Sequence, residues 1–451
     1  MNRILPIVFA CVFLGAAIVF GGSSTAGLYG GAAIQFAAAI GIALAIGSRH
    51  DYLGGTQRVL LALLVGALGL AIVHLIPLPP SLWGVLPGHH MVGDGLGLTG
   101  VPVGWRPISL APAETLGSAL LILPVVAAAL IGMRARRAGL IALFTVLIVL
   151  TLVSIGVGLA QRVGGLESPF YFYEITNRGE AVGLFANSNH LATLCVIAIP
   201  AATALFVAQR GSTKPNASWI VLIAIVLIAL GGVVLANSLA GVGLTLPALI
   251  SIFLIARLRR GGGTARTGAS LAIGGVAAAV AISGLWVVWG HVSSDKFALG
   301  SEMGRAQLWT RTLHGIATFL PLGSGLGSFP LVYPQFENAQ RVTQVFANHA
   351  HNDVLEVLMT GGVPALLLMV GFGAWWLHAT VKIWRNGMRN SFAEASTIVT
   401  GLIMLHETVD YPIRTAAVAV VFGLCCGIMA RPQRIVEPAE KPERVVRHMV
   451  A

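Results

Sequence analysis

Charge is what this sequence has least of. Asp, Glu, Lys and Arg make up 10% of its 451 residues, while 56% are hydrophobic. A soluble domain carries roughly 25% charged residues, so a water-soluble globular fold is excluded. Segments of about 10 alternating apolar and polar residues, the mark of a membrane β-barrel, are missing too. Cysteine is scarce: Cys11, Cys195, Cys425 and Cys426 all sit in apolar runs. They give no disulfide framework and read as packing residues. There is no Gly-x-x-x-x-Gly-Lys-Ser/Thr loop, which excludes a P-loop ATPase. Asp-x-Asp and His-Glu-x-x-His are absent, so nothing points to a bound metal, and paired carboxylates of the glycosidase kind are not evident.

What the chain does have is hydrophobic runs of about 20 residues, each long enough to cross a bilayer as a helix. The reading is an all-α, polytopic membrane protein with twelve spans: 4–22, 28–47, 57–78, 115–133, 139–160, 189–208, 218–236, 239–257, 268–290, 355–381, 395–410 and 414–430. The first run, MNRILPIVFACVFLGAAIVFGG, resembles a signal peptide but is read as a retained span. The spans hold almost no ionisable residues beyond Glu407 and Asp410 at the end of the eleventh. A charge at mid-membrane costs at least about 2.5–3.5 kcal/mol, and a proton-coupled carrier usually tolerates several. That weakens a transport reading.

The net charge is +11. With a cytoplasmic N-terminus, twenty of the 28 Lys and Arg fall on the cytoplasmic side, as the positive-inside rule requires. The basic surplus is therefore a topology signal and calls for no nucleic-acid partner. Both termini come out cytoplasmic. Residues 1–430 read as one membrane domain and 431–451 as a disordered cytoplasmic tail. Three long outer segments remain: 79–114, 161–188 and 291–354. The first is read as compact and interfacial, and the last carries an amphipathic helix at about 301–317.

Four polar clusters fall on the outer side. In NRGEAVGLFANSNHLA (177–192), Arg178 precedes the N-terminus of the sixth span, where free N–H groups suit an anion; Asn187 and Asn189 read equally as helix caps. In GRAQLWTRTLHGI (304–316), Arg305 and Trp309 share a helix face, or simply mark an interfacial helix. FANHAHND (346–353) brings His349 and His351 to the lip of the tenth span, with Asn352 or Asp353 as a cap. A histidine there can serve as general base. HETVDYPIRT (406–415) holds Glu407, Asp410 and Arg414, either as functional groups or as a tight turn in which Glu407 or Asp410 pairs Arg414.

HAHNDVLEVLMTGGVPALLL resembles the signature of the O-antigen ligase and polymerase superfamily. RGEAVGLFANSNHLA, GRAQLWTRTLHGIATFLPLGSGLGSF and HETVDYPIRTAAVA resemble further stretches of that family in the same order. The resemblance implies a bacterial inner-membrane glycosyltransferase with a periplasmic active site. It implies inverting transfer of a glycan from undecaprenyl pyrophosphate to an acceptor sugar, without metal, cofactor or nucleotide sugar. The acceptor would be lipid A core in a ligase, or a second lipid-linked repeat in an O-antigen or exopolysaccharide polymerase. His351 then becomes the candidate base, and Arg178, Arg305 and Arg414 the candidate cations for the pyrophosphate. Asn187, Asn189, Asn352 and Trp309 are candidate substrate contacts. Two departures from the family pattern are Asn237-Ser238-Leu239-Ala240-Gly241, which lacks an arginine at Leu239, and Thr360-Gly361-Gly362, which lacks an acidic residue. A lipid-linked glycan transporter without chemistry is the rival; broken helices and paired half-repeats would favour it, and the sequence is read as having neither.

Overall fold

The computed structural model describes residues 4–24, 28–47, 53–209, 215–257, 303–337, 347–385 and 390–432. The long helices are α1 (Ile4–Phe20), α2 (Leu28–Gly47), α3 (Gly55–His74), α4 (His90–Leu98), α5 (Pro112–Arg134), α6 (Arg137–Gly164), α7 (Ser188–Gln209), α8 (Pro215–Ala236), α9 (Leu239–Arg257), α10 (Met303–Phe319), α11 (Asp353–Arg385), α12 (Ser391–His406) and α13 (Ala416–Met429). Helices occupy eleven of the twelve intervals expected from the sequence. The ninth, 268–290, lies outside the described residues, as do 433–451 of the tail. The amphipathic helix expected at about 301–317 is α10.

Eight described helices are long and apolar enough to cross a membrane; α1 and α13, with 17 and 14 residues, are shorter apolar helices. The protein is a multi-pass membrane protein. Phe36, Val65, Ile220 and Leu367 are each about two-thirds exposed, as lipid-facing residues should be. A helix satisfies its own backbone groups and can therefore present such an apolar surface to lipid. Hydrogen bonds between helix ends sort into two sets. At one end Arg134 donates to the Ala45 carbonyl at 3.0 Å, Arg137 to Ala208, and Ser391 to Ala204 at 3.1 Å. At the other, Ala417 N–H meets the Gly21 carbonyl at 3.0 Å and Asp353 N–H the Glu407 carbonyl at 2.9 Å. The described helices thus alternate in direction, and every polar cluster singled out above lies at the second end.

α7 is the central helix, buried along nearly its whole length. α13 lies against α5 through small residues. Gly423 and Gly427, four apart, bring its backbone onto Val125 and Ala129, and a Cβ at Gly427 would fall on the Ala129 carbonyl oxygen. Small residues at this spacing allow helix backbones to approach in lipid, where no hydrophobic force drives them together.

Two expectations are corrected. The eleventh span ends at His406, not at 410, so Glu407 and Asp410 belong to the turn that follows it. The spans also hold more charge than expected, since Glu356 of α11 and Glu394 of α12 are 1% and 4% exposed. Glu356 escapes notice because it is enclosed by apolar neighbours in sequence; its compensation comes from elsewhere in the chain.

α11 is broken. Gly362 has φ 60° and ψ −154° inside it, a conformation that costs an L-residue with a side chain. The backbone groups that the break frees are bound by the loop after α10. Ser324 and Gly325 N–H donate to the Met359 and Thr360 carbonyls at 3.2 and 2.8 Å, and Val363 N–H donates to Pro321 at 2.8 Å. The same loop is held by His74, whose Nδ1 accepts from Leu326 N–H at 3.3 Å and whose Nε2 meets the Leu322 carbonyl at 3.2 Å. Leu110 N–H donates to Ser324 at 2.9 Å. A broken helix by itself would favour transport, but these groups face protein and not a pathway. Segment 79–111 meets this loop at Leu110 and is closed at its base by a two-residue antiparallel pair, β1 (Pro77–Leu78) and β2 (Arg106–Pro107).

Gly362→Ala tests the fit. Its Cβ would meet the Leu322 carbonyl carbon at 2.6 Å and the Gly323 nitrogen at 2.7 Å, in addition to the backbone penalty. We expect a loss of about 2 kcal/mol or more, read as a lower melting temperature of detergent-solubilised protein. Gly361→Ala, in regular helix and against the side chains of Ala365 and Leu326, should cost less.

Candidate functional site

The loop after α6 is fixed by a buried amide. Gln161 donates to the Phe170 and Gly183 carbonyls at 2.8 and 3.0 Å, and accepts from Val182 and Gly183 N–H at 2.9 and 2.8 Å. Tyr173 adds a bond from Gly22 N–H at 2.9 Å. This loop delivers Asn187 to the start of α7. Asn187 accepts from Asn189 N–H at 2.9 Å, as a cap does, and its side chain also reaches Tyr411. Asn189 accepts from Ser238 Oγ at 2.7 Å. Ser238 in turn accepts from Gly241 N–H at 3.0 Å. The stretch without the arginine is therefore a helix cap for α9, tied to α7. Arg178 is exposed; its guanidinium donates to the Leu166 carbonyl at 3.2 Å and lies 5.5 Å from the Tyr171 ring centre. No carboxylate pairs with it among the described residues.

The loop before α11 carries the two histidines, and they meet different carboxylates. His349, 9% exposed, places Nδ1 3.1 Å from Glu356 Oε1. His351 places Nδ1 3.0 Å from Asp410 Oδ1, with the histidine side chain 29% exposed and the aspartate 0%. Between them the Ala350 peptide is gripped on both sides: its N–H donates to Glu356 Oε2 at 2.8 Å, and its carbonyl accepts from Trp309 Nε1 at 3.0 Å. His351 has φ 49°, uncommon for a residue with a side chain. Asn352 caps α11 by accepting from Leu355 N–H at 3.2 Å. Tyr411 lies among three imidazoles, those of His349, His351 and His190, at ring-centre distances of 4.1, 5.0 and 5.2 Å.

Arg414 does not pair with Glu407 or Asp410. It ion-pairs Asp353 through Nε and Glu356 through Nη1, the latter at 3.1 Å. The fold brings the first turn of α11 onto this arginine, a contact across 61 residues of sequence. Burial alone would lower the guanidinium's proton affinity, but Asp353 and Glu356 outweigh it and hold Arg414 charged. Glu407 goes the other way: burial, reinforced by the Asp353 charge, raises its carboxyl well above the ordinary range. Among the sequence candidates the structure therefore gathers His351, Asn352, Trp309, Asn187 and Arg414 around one turn, with Asn189 beside them. Arg178 stands on the neighbouring loop. The Arg305 side chain lies outside the described residues. Asp410 as the partner of His351, and Glu356 and Tyr411 as its neighbours, were not assigned these roles from sequence.

Asp410 fixes the chemistry of His351. Burial pushes its carboxyl up, but the hydrogen bond with His351 and the nearby imidazoles of His190, His351 and His406 outweigh this and hold it below the usual range. An ionised carboxylate only accepts, so the proton of the pair is on Nδ1. In the neutral form of the ring Nε2 then carries a lone pair. Tyr411 is pushed up to about 12 by burial and by the Asp410 charge, and stays a neutral phenol. The arrangement is a carboxylate-oriented imidazole at the accessible edge of a buried charge network. Among the described residues no group of three His, Cys, Asp or Glu is placed to hold a metal ion.

Removing one member of the network should be costly. Arg414→Met leaves Glu356 buried without its cation, and breaking such a pair costs about 3–5 kcal/mol. Thermal unfolding in detergent should show a large loss, and adding Glu356→Gln should recover part of it.

No curated protein matches the chain. Residues 181–370 match the family model described as O-antigen ligase. The matched interval contains Asn187, Asn189, Arg305, Trp309, His351 and Asn352, and leaves Arg178, Asp410 and Arg414 outside it. The match supports a glycosyltransferase of the ligase or polymerase type, acting on lipid-linked glycans in the membrane. Residues 181–370 are thus the part of the chain that is similar to the O-antigen ligase family.

Proposed function

We propose that the protein is an inverting glycosyltransferase, independent of metal, which moves a glycan from undecaprenyl pyrophosphate to an acceptor sugar on a lipid. Ligation onto lipid A core is the favoured reaction. The observation that carries the reading is the His351–Asp410 pair. It is a base oriented by a fully buried carboxylate, yet open at its outer edge, on the side of the bundle where a lipid-borne headgroup is presented. The acceptor hydroxyl oxygen attacks the anomeric carbon. Its proton passes to His351 Nε2 as the new C–O bond forms, and the imidazolium is stabilised by Asp410. The bond from the anomeric carbon to the phosphate oxygen breaks, and its electrons leave with the undecaprenyl pyrophosphate. Attack opposite the leaving group inverts the centre.

Arg178 suits the leaving group, because its guanidinium has no carboxylate partner among the described residues and charge-assisted bonds to phosphate are strong. Arg305 is assigned alongside it from the family resemblance. Arg414 is better described as a positioning residue, since Asp353 and Glu356 already use its charge. Asn187, Asn352 and Trp309 likewise hold the surroundings of the base, and Asn189 secures α7 beside them. The positive-inside distribution of Lys and Arg supports a reading in which this face is periplasmic, the membrane is the inner one and both termini are cytoplasmic.

The test is transfer by purified protein in vesicles containing lipid-linked donor and lipid A core. His351→Ala should abolish transfer at normal membrane abundance. Asp410→Asn, which keeps the shape but loses the charge, should lower kcat by about 10²-fold or more. A chelator should leave the wild-type rate unchanged. A wild-type rate for His351→Ala would sink the reading of this residue as base. Product extending in repeats on the donor lipid, and not capped onto lipid A core, would replace ligase by polymerase.

In the same assay Arg178→Ala should slow transfer by about 10-fold or more, with Arg178→Lys recovering part of the loss. Unchanged kinetics for Arg178→Ala would remove it from the leaving-group site.

A further inference from the structure

Asp410 uses only one of its carboxylate oxygens. Oδ1 meets His351, while Oδ2 is buried and has no hydrogen-bond partner. On α7, His190 is 1% exposed, and neither of its ring nitrogens has a partner. Its ring stands edge-on to Tyr411, the neighbour of Asp410 in sequence, with centres 5.2 Å apart, and edge-on to Phe185 at 6.2 Å. One turn further along α7, Thr193 Oγ1 lies 2.8 Å from His406 Nδ1. This part of α7 therefore lies along the turn that carries Asp410, and the two side chains interact electrostatically.

A buried carboxylate oxygen without a donor is costly, and so is a buried imidazole that uses neither nitrogen. Together they are complementary, because the carboxylate only accepts and a neutral imidazole has an N–H to give. They do not meet at direct hydrogen-bond distance. One trapped water, which needs two or more polar partners, fits between such groups.

We propose that His190 is the second partner of Asp410, donating through one buried water to Oδ2. This makes it a positioning residue for the base. The terminal torsion of an aspartate is broad, and a carboxylate held at one oxygen can swing. Held at both, it keeps Oδ1 on His351 Nδ1 and so keeps Nε2 aimed outward. The kinetic consequence rests on the reading of His351 as base; the pairing itself does not.

Two measurements separate the pairing from that reading. The first needs no transfer activity: a double-mutant cycle on melting temperature with His190→Phe, Asp410→Asn and the double variant. Phenylalanine keeps the ring contacts with Tyr411 and Phe185 and removes both nitrogens. The melting temperatures should be non-additive by about 2–4 °C; strictly additive losses would overturn the pairing. The second is transfer kinetics. His190→Phe should lower kcat by about 10–100-fold, with KM within about twofold, and should add little in the Asp410→Asn background. His190→Asn, which retains an N–H donor, should recover most of the rate. A wild-type kcat for His190→Phe, or equal damage from His190→Asn, would overturn the positioning role. If the stability coupling holds while His351→Ala transfers normally, the pairing stands and the assignment of the base falls.

Discussion

An ionised carboxylate removed from water must be surrounded by donors, and two such carboxylates organise the outer end of this bundle. Glu356 is 1% exposed and Asp410 0%. Neither is tolerable alone in a low-dielectric setting. Glu356 draws His349, the Ala350 N–H and Arg414 to itself; Asp410 draws His351. The two carboxylates come from different elements, so their demands pin the loop between them from both sides. Two histidines separated by one residue end on different partners for this reason. The central peptide is clamped, and the side chains flanking it diverge.

The break in α11 serves the same end. A continuous helix would carry its own hydrogen bonds past Gly362 and offer nothing to the loop after α10. With the ladder interrupted, the Met359 and Thr360 carbonyls accept from Ser324 and Gly325 instead. That loop is the continuation of α10, whose Trp309 holds the Ala350 carbonyl. A single left-handed glycine thus ties α10 to α11 at one point, and a single indole ties them again beside His351. His351, the proposed base, stands on a doubly fastened frame, which is what a reacting group requires if its aim is to be kept.

Length and hydropathy made most of the helices legible, because a span of about 20 apolar residues is a local property. The family resemblance then singled out His351 among twelve histidines. What stayed hidden was pairing at a distance. Asp410 lies 59 residues from His351 and Arg414 lies 61 from Asp353, and no local pattern connects them. Hence a turn at 406–415 that balances its own charges stood beside the functional reading of the same residues. In the fold its arginine is drawn to α11, and its aspartate to the histidine. Glu356 was hidden differently, because an acid flanked by Val354, Leu355, Val357 and Leu358 reads as part of a greasy run. The break at Gly362 was half visible in Gly361-Gly362-Val363-Pro364, where two residues that weaken helices meet.

The arginines divide by the same constraint that orders the carboxylates. A cation can stabilise a departing pyrophosphate only with charge it has not already given away. Arg414 has two carboxylates within reach, so an approaching phosphate would have to compete with Asp353 and Glu356 for it, and would meet their negative charge in doing so. Arg178 has a carbonyl and an aromatic face for company. Both are weak partners that leave its charge free and keep the guanidinium in place. On the proposed reading, one arginine builds the frame and the other meets the substrate. The distinction comes from what each touches, since in sequence both are single basic residues beside a turn.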